Sequence, residues 1–425
     1  MNHGMKTEHH AMPLAQFEAL GRGGGGEDAI GRLVAAQRSK HLILVRGVAE
    51  LARRGGHPDD GIAVAGYELL ARVQQQDQIA AGEVIGYPSV GAWALHTLRD
   101  DQAVPGARPS GLATVAAAAA IKAGLDAEIE VPVVNGTVML PSLGTADAVG
   151  TTAIVRTKTA EIRSDDVRVA ARPGAPGWRE LRSAQAGSLA VLIDDLDPFR
   201  MPATDGEPTG RLTDDQVAEL IAMVRDAWGV LSPASATEVA AIVRVIVPYP
   251  APESGYVSTS SPQTFGTVAM SRQPDLYTCA ETLVHETQHL KLCALLDLVA
   301  LTQPDDGQRY YAPWRTDPRP ASSLLQGAYA FFGVAGFWRG QRDAAADLRV
   351  RPRAEAEFAR WRDGAAIVAA TLLNSGQLTA AGQVFVGGMS RVLATWQRES
   401  VADEALAIAR RKADRHLTRW HADNG

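Results

Sequence analysis

The chain has 425 residues, of which 46% are hydrophobic and 21% are charged, a composition typical of a globular protein with two or three domains. Its formal net charge of -6 gives no reason to expect nucleic acid or an anionic membrane as the main partner. Two cysteines cannot form a disulfide framework, and no apolar run reaches the roughly 18 residues that a membrane span needs. We therefore expect a cytoplasmic protein without a membrane segment.

The first part of the chain is predicted to be helical after a short leader. Residues 1–26 are polar and end in a glycine-rich run, which predicts a disordered leader followed by a flexible linker. Residues 27–125 form the predicted N-terminal helical region, because apolar residues recur there at helical spacing. Helices are expected at Ala29–Arg53, Gly61–Gln75, Ser89–Arg99 and Ala113–Ala123.

Residues 126–212 have a pattern typical of short β-strands. Asn135-Gly136 stands between Ala127–Val134 and Thr137–Leu140, which predicts a β-hairpin. Further strands are expected at Ala153–Arg156, Val167–Ala170 and Leu189–Ile193. The acidic run Asp194–Asp197 that follows could bind a metal or a basic peptide, but a strand end with an Asp-Pro turn is the favoured interpretation.

Helix is predicted to return at Thr213, where Thr213 and Gln216 have the spacing of a capping box. Residues 213–340 are interpreted as a metal-binding catalytic core, and residues 341–425 as a C-terminal helical region. Within the core, the expected elements are another helix or a helix-strand junction at Ser235–Ile246, a strand at Gln263–Ser271, and helices at Leu276–Ala300 and Ser322–Arg339. The expected fold class is α+β, with helical N- and C-terminal regions around a mixed sheet.

The helix expected at Leu276–Ala300 contains the pattern H-E-x-x-H at His285, Glu286 and His289. Residues i and i+4 lie one turn apart on one face of a helix, so two imidazoles at this spacing can reach one metal ion at about 2.0–2.1 Å. Glu286 lies beside them and can contact a metal-bound water. With a strand just before the helix, the pattern predicts a zincin-like core. The alternative is a pair of core histidines with no metal.

A third metal ligand is not apparent from the motif. Downstream of His289 the only histidines are His416 and His421, in a polar C-terminal helix, and no glutamate stands between Glu286 and Glu355. The glutamate of a gluzincin-type peptidase is therefore missing, and the metzincin extension is also absent. The motif favours a metal site but supports a zinc peptidase poorly.

The segment from Tyr310 to Pro320 is rich in aromatic residues, prolines and arginines. Proline restricts the backbone, and arginine binds carboxylates through two parallel hydrogen bonds. Arg315 and Arg319 are thus suited to hold a dicarboxylate co-substrate near a metal. The alternative is a structural loop whose arginines pair with Asp317, or with the acidic pair at 305–306.

The chain resembles a known family of H-E-x-x-H proteins, which are encoded beside ribosomally made, modified peptides. Members of that family are described as 2-oxoglutarate-dependent peptide β-hydroxylases. The resemblance covers nearly the whole chain and is densest from Leu283 to His289. It also includes Ser39–Leu42, Gly86–Trp93, Leu140–Gly144, Asp194–Arg200, Phe265–Val268, Lys291–Leu292, Leu295–Leu298, Tyr311–Pro320 and Leu324–Ala330.

The resemblance implies Fe(II) as the metal, 2-oxoglutarate and O₂ as co-substrates, and a ribosomal precursor peptide as the partner and substrate. Carried over to this sequence, His285 and His289 are metal ligands, and Gln326 is a candidate third ligand or co-substrate contact. Glu286 is the candidate catalytic residue, and its favoured role is to orient one of the histidines. Arg315 and Arg319 are expected to bind the co-substrate. Substrate contacts are expected from Ser260, Phe265, Trp314 and Tyr329.

Two other functions stay open. A zinc-dependent peptidase would use Glu286 as the general base that activates a metal-bound water. A non-enzymatic peptide-binding partner of a maturation complex would retain only a vestigial motif. Bound metal and turnover separate the three hypotheses.

Overall fold

The structure is a computed structural model that describes residues 10–101, 104–202, 207–344 and 349–424. Over these residues the chain is α+β, with thirteen α-helices and twelve strands in three sheets. The helices are α1 (Leu14–Gly21), α2 (Gly26–Arg54), α3 (Asp60–Gln76), α4 (Gln78–Ile85), α5 (Pro88–Leu98), α6 (Gly111–Lys122), α7 (Asp214–Trp228), α8 (Pro233–Ile242), α9 (Leu276–Leu296), α10 (Ala321–Ala344), α11 (Arg351–Asn374), α12 (Ala380–Trp396) and α13 (Asp403–Asn424). The strands are β1 (Glu128–Pro132), β2 (Thr137–Leu140), β3 (Gly144–Asp147), β4 (Thr152–Arg156), β5 (Glu161–Ser164), β6 (Val167–Ala170), β7 (Trp178–Glu180), β8 (Arg182–Ala186), β9 (Leu189–Ile193), β10 (Val245–Pro248), β11 (Ser258–Thr259) and β12 (Thr267–Met270).

Helix α1 occupies part of the segment that was predicted to be a disordered leader. Phe17 and Leu20 are buried, and the Phe17 ring lies 5.7 Å from the ring of Phe385 on α12. Gly21 permits this approach, because a Cβ there would lie 2.9 Å from the carbonyl oxygen of Phe385. The prediction of disorder is therefore wrong at Leu14–Gly21, whereas residues 22–25 of the predicted glycine linker lie outside any helix; the first nine residues lie outside the described part. So short a helix is marginal by itself, and its stability comes from tertiary packing that local sequence does not reveal.

The predicted helical region 27–125 is confirmed by α2 to α6. Helix α4 was not expected from the sequence. Asp77 begins it, because its carboxylate accepts hydrogen bonds from the backbone N–H groups of Ile79 and Ala80. The alanine-rich α6 is buried and packs closely on α3, where a Cβ on Gly66 would lie 2.7 Å from the backbone nitrogen of Ala113.

The predicted hairpin around Asn135-Gly136 is wrong beyond its turn. Asn135 and Gly136 have φ angles of 51° and 73°, as a two-residue hairpin turn requires. The flanking strands diverge, however: β1 pairs with β4, and β2 pairs with β3. The outer sheets thus have the strand orders β1-β4-β5-β6 and β2-β3-β7.

The third sheet has five strands in the order β11-β12-β10-β9-β8. Its inner strands β9, β10 and β12 are parallel, and the edge strands β8 and β11 are antiparallel to their neighbours. Every residue of β10 and β12 is buried. Because β8 and β9 belong to the same sheet as β10, residues 126–212 and 213–340 are not separate units, contrary to the predicted division.

Alternate side chains of the five-stranded sheet enter two different hydrophobic cores. Ile246 and Val268 face a core shared with α7 to α12, whereas Val247 and Ala269 face a core shared with α3 to α6 and the outer sheets. The predicted helical region 341–425 is confirmed by α11 to α13. No helix in the described part of the chain is long and apolar enough to span a bilayer.

The acidic run after β9 has a structural role. Asp194 accepts a hydrogen bond from the Tyr87 hydroxyl at 2.6 Å, and Asp197 accepts one from the Ser89 hydroxyl at 2.6 Å. Asp195 forms ion pairs with two arginines. Burial, followed by the charge of Asp194, raises the pKa of Asp197 to about 7. These carboxylates connect the strand end to α5, as the turn interpretation expects.

Candidate metal centre

Helix α9 places the H-E-x-x-H motif directly after β12. Its first turn is capped by Asp275, whose carboxylate accepts hydrogen bonds from two backbone N–H groups. Lys291 is fully buried and pairs with Glu238 of α8 at 2.8 Å. At the other end of the helix, Asp297 binds Lys40 of α2 at 2.8 Å, so it is engaged away from the motif. These contacts fix the rotation of α9 relative to α2 and α8.

The two histidines of the motif face each other across one helical turn. Their Nε2 atoms lie 3.1 Å apart, and the ring planes meet at 74°. Two nitrogens bound to one ion at about 2.0–2.1 Å each can be at most about 4 Å apart, so this separation fits a shared metal. Burial, with a smaller contribution from His289, lowers the pKa of His285 well below its ordinary value, which favours the neutral ring that a metal requires. An N–H···N hydrogen bond has the same length, and it is the alternative without a metal.

Gln326 of α10 forms a hydrogen bond with Nδ1 of His289, the ring nitrogen that does not face His285. Its amide oxygen lies 3.1 Å from His289 Nδ1, and its amide nitrogen donates to Cys293 Sγ at 3.5 Å. A carbonyl oxygen only accepts hydrogen bonds, so Nδ1 of His289 carries the proton and the lone pair of a neutral ring is on Nε2. Gln326 is therefore an orienting partner of His289 in this structure, and its predicted role as a third ligand is not seen.

Glu286 does not lie free beside the imidazoles. One carboxylate oxygen accepts a hydrogen bond from the Ser258 hydroxyl and the other from the Ser260 hydroxyl, both at 2.7 Å. Residues two apart on a strand point to the same side, which explains why both serines reach α9. Glu286 is buried, and the two hydroxyls replace the water that its carboxylate loses. Ser258 and Thr259 form β11, so this contact also ties the edge strand of the sheet to the motif.

A cavity of about 600 Å³ opens in front of the motif. It is lined by Ser258, Thr259, Ser260, Pro262, His285, Glu286, His289, Cys293, Trp314, Arg315, Arg319, Ser323, Gln326, Gly327 and Phe331. This cavity thus brings together eight of the residues predicted from the sequence to form the site: His285, His289, Glu286, Gln326, Arg315, Arg319, Ser260 and Trp314. A volume of this size is in the range of small-molecule binding sites.

An aromatic wall closes one side of this cavity. Trp314 stacks on Phe331 at 4.8 Å, and the edge of the Phe331 ring approaches His285 at 4.9 Å. Gly327 is required for this packing, because a Cβ there would lie 2.4 Å from Trp314 Nε1. Sequence reasoning missed Phe331. Its position one turn after Gly327 on the same face of α10 was the available signal.

The two arginines of the loop pair with the loop's own acid. Arg315 Nε lies 2.9 Å from one oxygen of Asp317, and Arg319 Nη1 lies 2.8 Å from the other. These two hydrogen bonds lower the pKa of Asp317 to about 2. The pairing with Asp317 that a structural loop would make is present, and both arginines also border the cavity. Asp305 pairs with Arg309 instead.

Two residues expected to contact substrate lie elsewhere. Tyr329 is on the opposite face of α10 from Gly327, where its buried hydroxyl donates to the carbonyl of Leu20 at 2.8 Å. Phe265 is buried and lines a second cavity, described below, because the turn at Pro262–Thr264 carries the chain out of the metal cavity. Neither residue lines the metal cavity, since sequence distance from the motif does not say which face a side chain takes. His416 accompanies Tyr311, 3.0 Å away, and does not line the metal cavity.

Among the residues that the structure describes, no group of three or more His, Cys, Asp or Glu side chains is arranged to bind one metal ion. Comparison with models of known protein families gives no match, and neither does comparison with curated proteins. The family resemblance drawn from the motifs therefore stays a prediction.

The Ser258 and Ser260 contacts with Glu286 can be tested through stability. Replacing each serine by alanine should lower the free energy of unfolding by about 1–3 kcal/mol, because a buried carboxylate loses a hydrogen bond. Thr259→Ala is the matched control, since Thr259 lies between the two serines and makes no side-chain hydrogen bond with Glu286. Urea denaturation measures the change. Equal effects of all three substitutions, or no loss for the serines, would contradict the contact.

Proposed function

We propose that this protein is an Fe(II)- and 2-oxoglutarate-dependent oxygenase that hydroxylates a β-carbon in a ribosomally made precursor peptide. The observation that carries the proposal is the pair of Nε2 atoms, 3.1 Å apart, at the wall of a cavity that two arginines also border. The proposed site of action is the cytoplasm, where precursor peptides are made. A zincin-like arrangement of β11, β12 and α9 is part of the same proposal.

The donor set suits a metal with several open positions. His285 and His289 would hold it, and Gln326 would keep Nε2 of His289 unprotonated through the contact at Nδ1. Two protein nitrogens would leave coordination positions for a 2-oxo acid and O₂ on an octahedral ion. Non-haem iron oxygenases need such open positions. Iron bound there would supply the activation of O₂ coupled to the oxidative decarboxylation of 2-oxoglutarate to succinate and CO₂.

The arginine loop supplies a place for the distal carboxylate of 2-oxoglutarate. Each guanidinium gives one nitrogen to Asp317 and retains further N–H donors. A carboxylate entering the cavity can bind these remaining donors, and arginine is well suited to such a planar contact. Asp317 would then hold the loop conformation while occupying only one N–H donor of each arginine.

The aromatic wall and the edge strand would position the peptide. Trp314 and Phe331 exclude water from one side of the histidine pair, which limits side reactions at an oxidising centre. Strand β11 is the last strand of its sheet on the cavity side, so an extended peptide can add to its outer edge. Ser260 lies just after β11 on the cavity wall and is placed to contact that peptide.

A zinc peptidase is the second candidate. It is favoured by Glu286, which follows His285 in the sequence and lines the same cavity as both histidines. A carboxylate in this position could act as a general base. One observation weighs against it: both Glu286 oxygens are engaged by serines. The described residues provide no third His, Cys, Asp or Glu ligand, which does not separate the two candidates, because non-haem iron oxygenases also commonly use a carboxylate ligand.

Turnover tests the proposal directly. Protein loaded anaerobically with Fe(II) and given 2-oxoglutarate, O₂ and the peptide encoded beside its gene should add one oxygen to the peptide and form succinate in equal amount. His289→Ala should abolish both products, because one of only two protein ligands is lost. Peptide cleavage with Zn(II) would overturn the proposal in favour of the peptidase. Absence of metal binding would favour the non-enzymatic peptide-binding partner.

Gln326 provides a graded test of the orienting contact. Gln326→Ala should weaken iron binding by roughly 10- to 100-fold, as loss of such a partner typically does, whereas His289→Ala should abolish it. Ser323→Ala is the control, because Ser323 lies on the same helix and borders the same cavity. Metal affinity can be measured by competition with a chromophoric chelator. An effect of Gln326→Ala as complete as that of His289→Ala would instead make Gln326 a ligand.

A further inference from the structure

A second cavity, of about 360 Å³, lies between α2, α4, α6, α8 and the strands β8 and β9. Its wall includes three cationic side chains from separate elements, Arg38, Lys122 and Arg244, and a single acid, Glu83. Two sequence segments singled out for the family resemblance, Gly86–Trp93 and Leu140–Gly144, contribute to this wall and not to the metal cavity.

Two of these cations, Arg38 and Arg244, keep a large solvent-exposed fraction and make no ion pair or hydrogen bond with any described residue. Lys122 pairs with Glu83 at 3.2 Å, and the Glu83 carboxylate also acts electrostatically on Arg244. Burial, and then the positive charge of Arg38, lowers the pKa of Arg244. Two neighbouring guanidiniums repel each other, and an anion between them would relieve that repulsion.

Ser142 gives an independent indication of a ligand. Its side chain is only 8% exposed and lies on the wall of this cavity, and no described residue forms a hydrogen bond with its hydroxyl oxygen. The residue also has a φ of 66°, a left-handed conformation that is costly for a residue other than glycine. The hydroxyl oxygen has almost no accessible surface, and the group keeps a donor that the described residues do not use.

The two cavities are close neighbours along the chain. Pro262 borders the metal cavity and Phe265 borders the second one. Three residues span at most roughly 11 Å, so the walls of the two cavities come within that distance of each other at this turn. An extended peptide of a few residues is long enough to reach from one cavity to the other.

We infer that this second cavity binds the carboxylate of an acidic residue in the peptide substrate, through Arg38, Arg244 and Ser142. The inference rests on the proposed function for the identity of the peptide, but the binding itself needs neither metal nor turnover. It assigns substrate selection to a site separate from the reacting centre, with guanidinium and hydroxyl donors as the recognising groups.

Binding of a model peptide to the full-length, metal-free protein tests this inference. The probe is a fluorescein-labelled peptide of alternating Glu and Gly, compared by fluorescence anisotropy with its Gln and Gly counterpart. The Glu peptide should bind at least tenfold more tightly. Arg38→Gln and Arg244→Gln should each remove most of that difference, Arg244→Lys should keep part of it, and Ser142→Ala should weaken binding severalfold. Arg32→Gln, an exposed position on the same helix outside the cavity, should change nothing.

His285→Ala should also leave this binding intact, which separates failure here from failure of the proposed function. Equal affinity for the two peptides, or equal binding by the Arg38, Arg244 and Arg32 variants, would overturn the inference. If millimolar inorganic phosphate bound with the same dependence on Arg38 and Arg244 and the Glu peptide did not bind, the site would be one for free phosphate, and the peptide assignment would be wrong.

Discussion

The inner strands β10 and β12 of the five-stranded sheet have no face in water, and the location of the candidate site follows from this constraint. Side chains of β10 and β12 alternate between two hydrophobic cores, and each fully buried Val or Ile contributes about 1.5–3 kcal/mol relative to an exposed one. Helix α9 covers one side of the sheet, so most of its circumference is buried. His285, Glu286 and His289 line the cavity on the side of α9 next to the edge strand β11, whereas Lys291 is buried against α8.

Two buried charged side chains of α9 are stabilised by specific partners. Glu286 is held by two serine hydroxyls, and Lys291 is held by Glu238. Desolvating a charge without such a partner costs several kcal/mol, so these pairings limit the positions that α9 can take. The same rigidity brings His285 and His289 together before any metal arrives. Preorganisation of this kind lowers the cost of binding an ion.

Periodicity and local chemistry predicted much of the fold. The capping box at Thr213 is present with both of its hydrogen bonds, and the helix-strand junction before β10 is confirmed. Partner choice between strands was not predictable, because the turn at Asn135-Gly136 has hairpin geometry while its strands join different sheets. Pairing of that kind depends on residues far away in sequence, which local patterns in one sequence do not reveal.

For the candidate site, too, local features were predictable from the sequence and contacts between distant elements were not. The i, i+4 spacing was enough to bring His285 and His289 together, since helix geometry is local. The role of Gln326 was not evident, because its contact with His289 depends on how α10 packs against α9. Tyr329, three residues later, was misplaced for the same reason. The second cavity could not be anticipated, as Arg38, Ser142 and Arg244 meet only in three dimensions.

Crystals of the protein soaked with Fe(II) under anaerobic conditions, and measured at the iron absorption edge, examine the histidine pair most directly. The account predicts one anomalous peak in the cavity, about 2 Å from Nε2 of both His285 and His289, with Gln326 still on Nδ1 of His289. Two imidazoles joined by a hydrogen bond, with no anomalous peak between them at saturating iron, would contradict it.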